Sequence, residues 1–363
     1  MREVYLDNAA STPVDERVLG AMLPYFRENY GNPSSVHRKG IEAERGIKRA
    51  REQVAKAVGA EPAQVFFTSG GTEGNAIALL GAPGRGAVVV SSLEHPSVAA
   101  SAKLRGETRV VAPTPEAFVA ACEGAAVASC MMVSNEIGTI QPIAEIAARL
   151  RAAGWRGHFH VDAVQALGKI SLRLGDLGAD SIALSSHKLH GPKGVGAIVV
   201  RAGVRLSAVW GGGKHEGGLR PGTENAPGIV GFGEAAEMAT SDLARSGAAM
   251  AALRDKLVAG ILAAGIGARD ATAGLARAPH IAALVFPRVM PEVLLHALEK
   301  RGVYVSAGSA CSSRDRHPSA AAVALGLRDD EGMVRLSLSR LTSEEDIDAA
   351  IAAVPEAVRE AQL

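Results

Sequence analysis

The sequence predicts an α/β fold, with a mainly parallel sheet covered by helices in a larger domain and a smaller α+β domain beside it. Three observations carry that reading. From about residue 63 to 200, short apolar runs alternate with amphipathic helical stretches, the order expected of an open parallel sheet built from βαβ units. Polar clusters follow the ends of several of these runs, at the sheet edge where such folds take their ligands. After about residue 260 the pattern changes to strand, helix, strand, strand, helix.

The early strands are "QVFFTSGG", "GAVVVSS", "AVASCMMVSN", "HFHVDAV", "DSIALSS" and "GVGAIVV". Each is rich in apolar residues and bounded by Gly, Ser or Asn, as buried strands are. Between them lie helices such as 142–153, with Ile143, Ile146, Ala147 and Leu150 on one face. The stretch "HRKGIEAERGIKRARE" (37–52) mixes both charge signs at helical spacing and reads as a solvated helix face. "WGGGKHEGGLRPGTEN" (210–225) is too long and glycine-dense for a plain turn, and a helical segment of about 228–260 follows it. "HIAALVFP", "VYVSAG" and "MVRLSLSR" are strands of the second domain, and "PEVLLHALEKRG" is a helix. The last helix has a start signal in Thr342 with Glu345 three residues on, a buried stripe of Ile347, Ile351, Val354 and Val358, and an interruption or kink expected at Pro355.

Composition excludes several classes. A net charge of +1 in 363 residues gives no basic or acidic excess for nucleic acid or membrane surfaces. No signal-peptide pattern opens the chain and no apolar run reaches transmembrane length, so a cytoplasmic protein is expected. Cys122, Cys130 and Cys311 are odd in number and widely spaced, which suits free thiols in a reducing compartment. No Cys/His spacing suggests a metal site.

Four stretches could carry chemistry. In "FFTSGGTEGNA", a strand enters Gly70, Gly71 and Thr72 and then a helix. That makes either a phosphate cradle of exposed N–H groups or a tight turn with Thr72 as the helix cap. In "HVDAVQALGKI", Asp162 stands at a strand end with Gln165 three residues on. It could hold a ligand's ring nitrogen protonated, as in pyridoxal phosphate sites, or simply cap the next helix. In "SSHKLHGPKG", Lys188 follows a buried strand, where partial burial suits a lysine to forming a Schiff base, although a lone loop lysine is usually just solvated. His95 in "LEHPSV" could stack on an aromatic cofactor and shuttle protons, or mark a helix start.

These segments, with "YLDNAASTPVD", "NPSSVHRKG", "VSNEIGTIQPI", "RPGTEN", "SAGSACSS" and "VRLSLSRLTSEED", run in order along essentially the whole chain, which closely resembles the cysteine desulfurases of the class V aminotransferase group. The resemblance implies the type I pyridoxal-phosphate-dependent transferase fold, with a large cofactor domain at 13–245. Residues 1–12 and 246–363 would form the small α+β domain carrying a catalytic cysteine loop. It also implies pyridoxal 5'-phosphate as cofactor, L-cysteine as substrate and a homodimer. Lys188 would bind the cofactor, Asp162 its ring nitrogen, Gln165 its ring hydroxyl and His95 its face. Gly71, Thr72, Ser185 and His187 would hold the phosphate, with Thr223 reaching the phosphate bound in the partner subunit. Arg335 would clamp the substrate carboxylate, helped by Asn135 and Asn8.

Cys311, set in a stretch with the composition of a flexible loop, would be the nucleophile that takes the substrate's sulfur as a persulfide. Cys130 reads as a buried structural thiol, and Cys122 is given no role. The spacing from Cys311 to Pro318 matches the longer-loop branch that serves iron–sulfur cluster assembly, so the expected partner is a sulfur acceptor such as an iron–sulfur scaffold or sulfur carrier. Two departures stand out. Lys214 and His215 separate the Gly-Gly-Gly run from "EGGLRPGT", and the chain ends soon after its last helix, without a scaffold-docking extension. The nearest rival is a selenocysteine lyase or cysteine β-lyase of the same fold. A plain aminotransferase would not need Cys311, and a non-catalytic paralogue would be expected to lose Lys188 or Cys311.

Overall fold

A computed structural model of the protein describes residues 2–307 and 320–362. Cys311, Gly308 and Pro318 therefore lie outside the described residues. The chain divides into two compact units, one of residues 13–132 and 141–242 and one of residues 1–12, 133–140 and 243–363.

The larger unit is built on seven strands: β1 (Val65–Thr68), β2 (Ala87–Ser91), β3 (Thr108–Val111), β4 (Ala125–Ser129), β5 (His158–Asp162), β6 (Ser181–Ser185) and β7 (Gly196–Val200). Their order in the sheet is β1-β7-β6-β5-β4-β2-β3. Only β7 runs against its neighbours, and β6, β5, β4, β2 and β3 are parallel in turn. Six carboxyl ends therefore share one edge. Strands β2, β4, β5, β6 and β7 are buried at every position, which is why they read as near-continuous apolar runs. Edge strand β3 was not expected from the sequence. It has four residues, none of them buried, and Val110 is 64% exposed. With little apolar face to hide, it carries little pattern.

Outer helices complete this unit. The helix Arg38–Ala57 buries Ala43, Ile47, Ala50 and Val54 and packs on the helix Ala226–Ser241. A Cβ on Gly233 would lie 2.6 Å from Ala50 Cα, so glycine is what lets these two helices approach. The helical stretch expected over 228–260 is two helices, Ala226–Ser241 and Leu243–Ala263. They are separated by Asp242 at φ −138°, ψ 38°, outside helical space.

In the smaller unit, Ile281–Pro287 pairs antiparallel with both Glu331–Ser337 and Arg269–Asp270, while Val4–Tyr5 pairs parallel with Val303–Tyr304. Leu257, Ile261, Leu284, Phe286, Leu336, Ile347 and Val354 share its core. The last helix, Glu344–Ala361, starts one residue later than expected. Ser343 is the cap, in a reciprocal box with Asp346, while Thr342 Oγ1 instead accepts from Ser339 N–H at 2.9 Å. Pro355 does not end the helix. Its missing N–H costs one backbone bond, and the buried stripe Ile347, Ala350, Val354, Ala357 and Val358 outweighs that loss.

Candidate active site

The first cluster sits at the shared carboxyl edge of the larger unit's strands. β1 ends in Thr68, and the chain turns through Ser69 and Gly70 into the helix Gly71–Gly81. Gly70 adopts φ 157°, ψ −177°, a region that belongs to glycine. A Cβ on Gly71 would lie 2.6 Å from Val164 Cγ2. The two glycines thus bare the first N–H groups of the helix, an anion-binding geometry. Gly70 is the N-cap and Thr72 lies inside the first turn, exposed. This corrects the capping alternative considered for Thr72. Glu73 accepts from Ser69 N–H and from Arg220 Nε, the latter at 3.0 Å.

Asp162 ends β5 and is buried. Its Oδ2 accepts from Asn75 Nδ2 at 2.7 Å and its Oδ1 from Val164 N–H at 3.0 Å. No α-helix begins here for Asp162 to cap; the next is Leu174–Leu177. Gln165 is buried one turn on. Ser185 ends β6, buried, and the single 3-10 turn Ser186–Lys188 keeps Lys188 within three residues of that strand end. Burial first, then the charges of Lys188 and Lys193, depress the His187 imidazole to about 4. It is a neutral donor or acceptor at physiological pH. His95 marks a helix start, as expected of one of its two readings. It caps the helix Pro96–Arg105 by accepting Ser97 N–H on Nδ1 at 3.1 Å, and it stands just beyond β2 on the same edge.

Sequence reasoning missed two residues here. Asn75 links Asp162 to Ser97 Oγ at 2.9 Å, and Ser97 Oγ lies 2.7 Å from His95 Nδ1. Glu94 accepts from Ser129 Oγ at 3.1 Å, and burial, with the Asp162 charge behind it, pushes its carboxyl well above the usual range. Asn75 had no signal beyond its place in the glycine-rich turn, and Glu94 none beyond its place beside His95. Thr223 is exposed, in a loop whose Glu216 is buried and paired to Arg51.

A second cluster lies in the smaller unit. Arg335, on Glu331–Ser337, is buried; Nη2 donates to Asp7 Oδ1 and Nη1 to the Asn135 carbonyl, both at 2.7 Å. Among the described residues its Nε is buried without a hydrogen-bond partner, a donor an incoming anion could use. Asn8 Nδ2 donates to the carbonyls of Tyr5 and Ser337, at 3.1 and 2.9 Å, and so fixes the chain beside Asp7.

The first cluster's donors and acceptors suit a cofactor with a phosphate and a basic aromatic ring. Bared N–H groups serve the phosphate, and a buried, oriented carboxylate serves a ring nitrogen. Lysine supplies a carbonyl-reactive amine. Burial disfavours the thiolate of both described cysteines: it raises Cys122 to about 12 and Cys130 well above its ordinary value. Among the described residues no group of three His, Cys, Asp or Glu could hold a metal, and no helix is long and apolar enough to cross a membrane.

The aminotransferase class-V family matches residues 4–350. Over 98% of its length the chain is 42% identical to a cysteine desulfurase of Bradyrhizobium diazoefficiens, covering 94% of that protein. It is 40% identical to the cysteine desulfurase NifS of Azotobacter vinelandii, over 98% of this chain and 92% of that one. Among solved structures, a NifS-like protein superposes with TM-score 0.89 at 34% identity, over 98% of this chain and 99% of its own. A structure described as SspA in complex with cysteine does so with TM-score 0.81 at 30% identity, over 94% of this chain and all of that one.

Proposed function

Because the chain belongs to the class-V aminotransferase family, among its cysteine desulfurases, we propose that it converts L-cysteine to L-alanine with pyridoxal 5'-phosphate and moves the sulfur onto Cys311. Its fold is the type I architecture of that family. The observation that supports the reading most strongly is one sheet edge that gathers the Gly70–Gly71 cradle, the oriented Asp162 carboxylate, His95 and Lys188.

In this reading the N–H groups after Gly70, with Thr72, Ser185 and neutral His187, hold the phosphate, and Thr223 reaches the phosphate bound in a second copy of the chain. Asp162 pairs with the ring nitrogen, Gln165 with the ring hydroxyl, and His95 stacks on the ring. Lys188 Nζ is the covalent anchor. When bound, the cofactor supplies an electron sink for the substrate's α-carbon. As a free amine, Lys188 would take the Cα proton on Nζ. Arg335 orients the substrate through its carboxylate, with Asn135 and Asn8 beside it.

The Cys311 thiolate attacks the substrate sulfur, the Cβ–S bond breaks, and its electron pair stays with carbon, which is protonated. The net change is cysteine plus enzyme thiol giving alanine plus enzyme persulfide. The persulfide sulfur then passes to an acceptor protein, such as an iron–sulfur scaffold or sulfur carrier, in the cytoplasm.

The test is alanine and sulfide release from L-cysteine under reductant, comparing wild type with Cys311→Ala. Equal amounts of both products from wild type, and none from a variant that keeps its cofactor's visible band, is the expected outcome. A variant as active as wild type would overturn the role of Cys311 and point to a direct β-lyase or selenocysteine lyase.

A further inference from the structure

A continuous hydrogen-bond chain runs through the interior of the larger unit. His158 Nε2 lies 2.8 Å from Ser181 Oγ, and Ser181 Oγ lies 2.8 Å from His160 Nδ1. His160 Nε2 is 2.9 Å from Asn75 Oδ1. Asn75 Nδ2 then donates to Asp162 Oδ2 at 2.7 Å and to Ser97 Oγ at 2.9 Å, and Ser97 Oγ is 2.7 Å from His95 Nδ1. Asn75, His158, His160, Ser181 and Asp162 are all buried.

Donor and acceptor chemistry fixes the direction of every link. Asn75 turns its NH₂ group to Asp162 Oδ2 and Ser97 Oγ, so its carbonyl faces His160. His160 must then carry its proton on Nε2. Burial holds His160 neutral, its imidazole depressed to about 3, so Nδ1 is an acceptor and takes the Ser181 hydroxyl proton. Ser181 in turn accepts from His158 Nε2–H, and His158 is also kept neutral, depressed to about 4 by burial. At the other branch, Ser97 Oγ accepts from Asn75 and so turns its proton toward His95 Nδ1. Ser97 N–H aims at the same nitrogen at 3.1 Å. His95 Nδ1 is thereby an acceptor, and the ring's proton sits on Nε2.

We propose that Asn75, with Ser97, His160 and Ser181, forms a one-way relay of positioning residues that fixes His95 as its Nε2–H tautomer and holds Asp162 as a pure acceptor. The proposal rests on the functional reading above, in which His95 and Asp162 address the two faces of the problem, ring stacking and ring nitrogen. One amide would then set both, because rotating Asn75 to suit one partner breaks its bonds to the other. Burial, with the Asp162 charge behind it, raises the Glu94 carboxyl well above its usual range, so it favours the uncharged form beside Asp162.

The test is a long-range proton–nitrogen spectrum of holoenzyme labelled with ¹⁵N-histidine, with the His95 signals identified by their loss in His95→Gln. The expected pattern for His95 is a pyridine-type Nδ1 and a pyrrole-type Nε2. In Ser97→Ala, with the cofactor's visible band retained, that pattern gives way to averaged tautomers. In Asn75→Ala the visible band shifts and kcat falls roughly ten- to hundredfold with KM within a few-fold, the scale on which supporting partners of a site act. Should Asn75→Ala not fold, the wild-type and Ser97→Ala spectra decide alone. A wild-type His95 protonated on Nδ1, or a Ser97→Ala spectrum identical to wild type, overturns the relay while leaving the cofactor reading intact. A protein that never forms the visible band overturns the cofactor reading, and the relay with it.

Discussion

Among the described residues Arg335 is a guanidinium spent on two sides and open on a third: Asp7 and the Asn135 carbonyl take its Nη atoms, and Nε is buried without a partner. A substrate carboxylate would supply the missing acceptor. Lysine cannot reproduce three donors in one plane, so Arg335→Lys should raise KM for L-cysteine by about ten- to a hundredfold, the value of one or two charge-assisted hydrogen bonds. Steady-state kinetics check this, and an unchanged KM would remove Arg335 from substrate binding. At this scale the sequence is legible where a residue's role is set by its neighbours in the chain. Asp162 and Lys188 announce themselves at strand ends, and His95 stands before a helix-starting proline. Asn75 does not, because its partners Asp162 and His160 lie 87 and 85 residues away. Only the folded sheet brings them together.

Among the elements, the glycine-rich loop 210–225 is tied down by two ion pairs, Arg220 with Glu73 and Arg51 with the buried Glu216. Arg51, on the helix Arg38–Ala57, donates to both Glu216 oxygens at 2.7 Å, and Glu216 Oε2 also accepts Phe67 N–H at 2.8 Å. Glu216 is held at φ 48°, an unfavourable backbone for a side chain with a Cβ. The pair fastens the loop to β1 and offsets that strain. Glu216→Ala should cost about 2–4 kcal/mol by stranding Arg51 and the Phe67 N–H, read as a lower urea midpoint. It should also weaken retention of the cofactor, because the same loop carries Thr223. The sequence shows this loop to be more than a turn, yet the charged stretch 37–52 reads as a solvated face. Arg51 is the exception in it, since helical periodicity cannot reveal a partner 165 residues on. The same limit hid β3, which is too exposed to show a pattern, and shifted the final cap from Thr342 to Ser343, where both hydroxyls meet backbone N–H groups.

For the whole molecule, the buried relay links stability to pH. His158 and His160 are depressed to about 4 and about 3 by burial, so below the ordinary histidine value of about 6.5 the unfolded chain binds protons that the fold refuses. Their contribution is complete above that value and is lost as pH falls. Glu94 opposes them, because its raised carboxyl is protonated in the fold before it is in the unfolded chain. His187, also depressed to about 4, acts in the same sense, so three imidazoles against one carboxyl should make stability fall as pH drops from about 6 to 5. Removing the opposing group in Glu94→Gln should steepen that fall. Urea unfolding followed by the fluorescence of Trp155 and Trp210, both in the larger unit, measures it. An unchanged slope in Glu94→Gln would mean that Glu94 is ionised in the fold.

The strand and helix alternation that predicted the mainly parallel sheet was legible because buried strands leave apolar runs. The proton positions that tune its edge were not, because they belong to contacts across that sheet. The measurement that tests the central claim most directly is mass spectrometry of the holoenzyme after brief exposure to L-cysteine and alkylation of its thiols. A peptide carrying Cys311 with one additional sulfur atom, matched by one alanine released per chain, is the result expected. Alanine released with no sulfur retained on Cys311, or sulfur found on Cys122 or Cys130 instead, would contradict it.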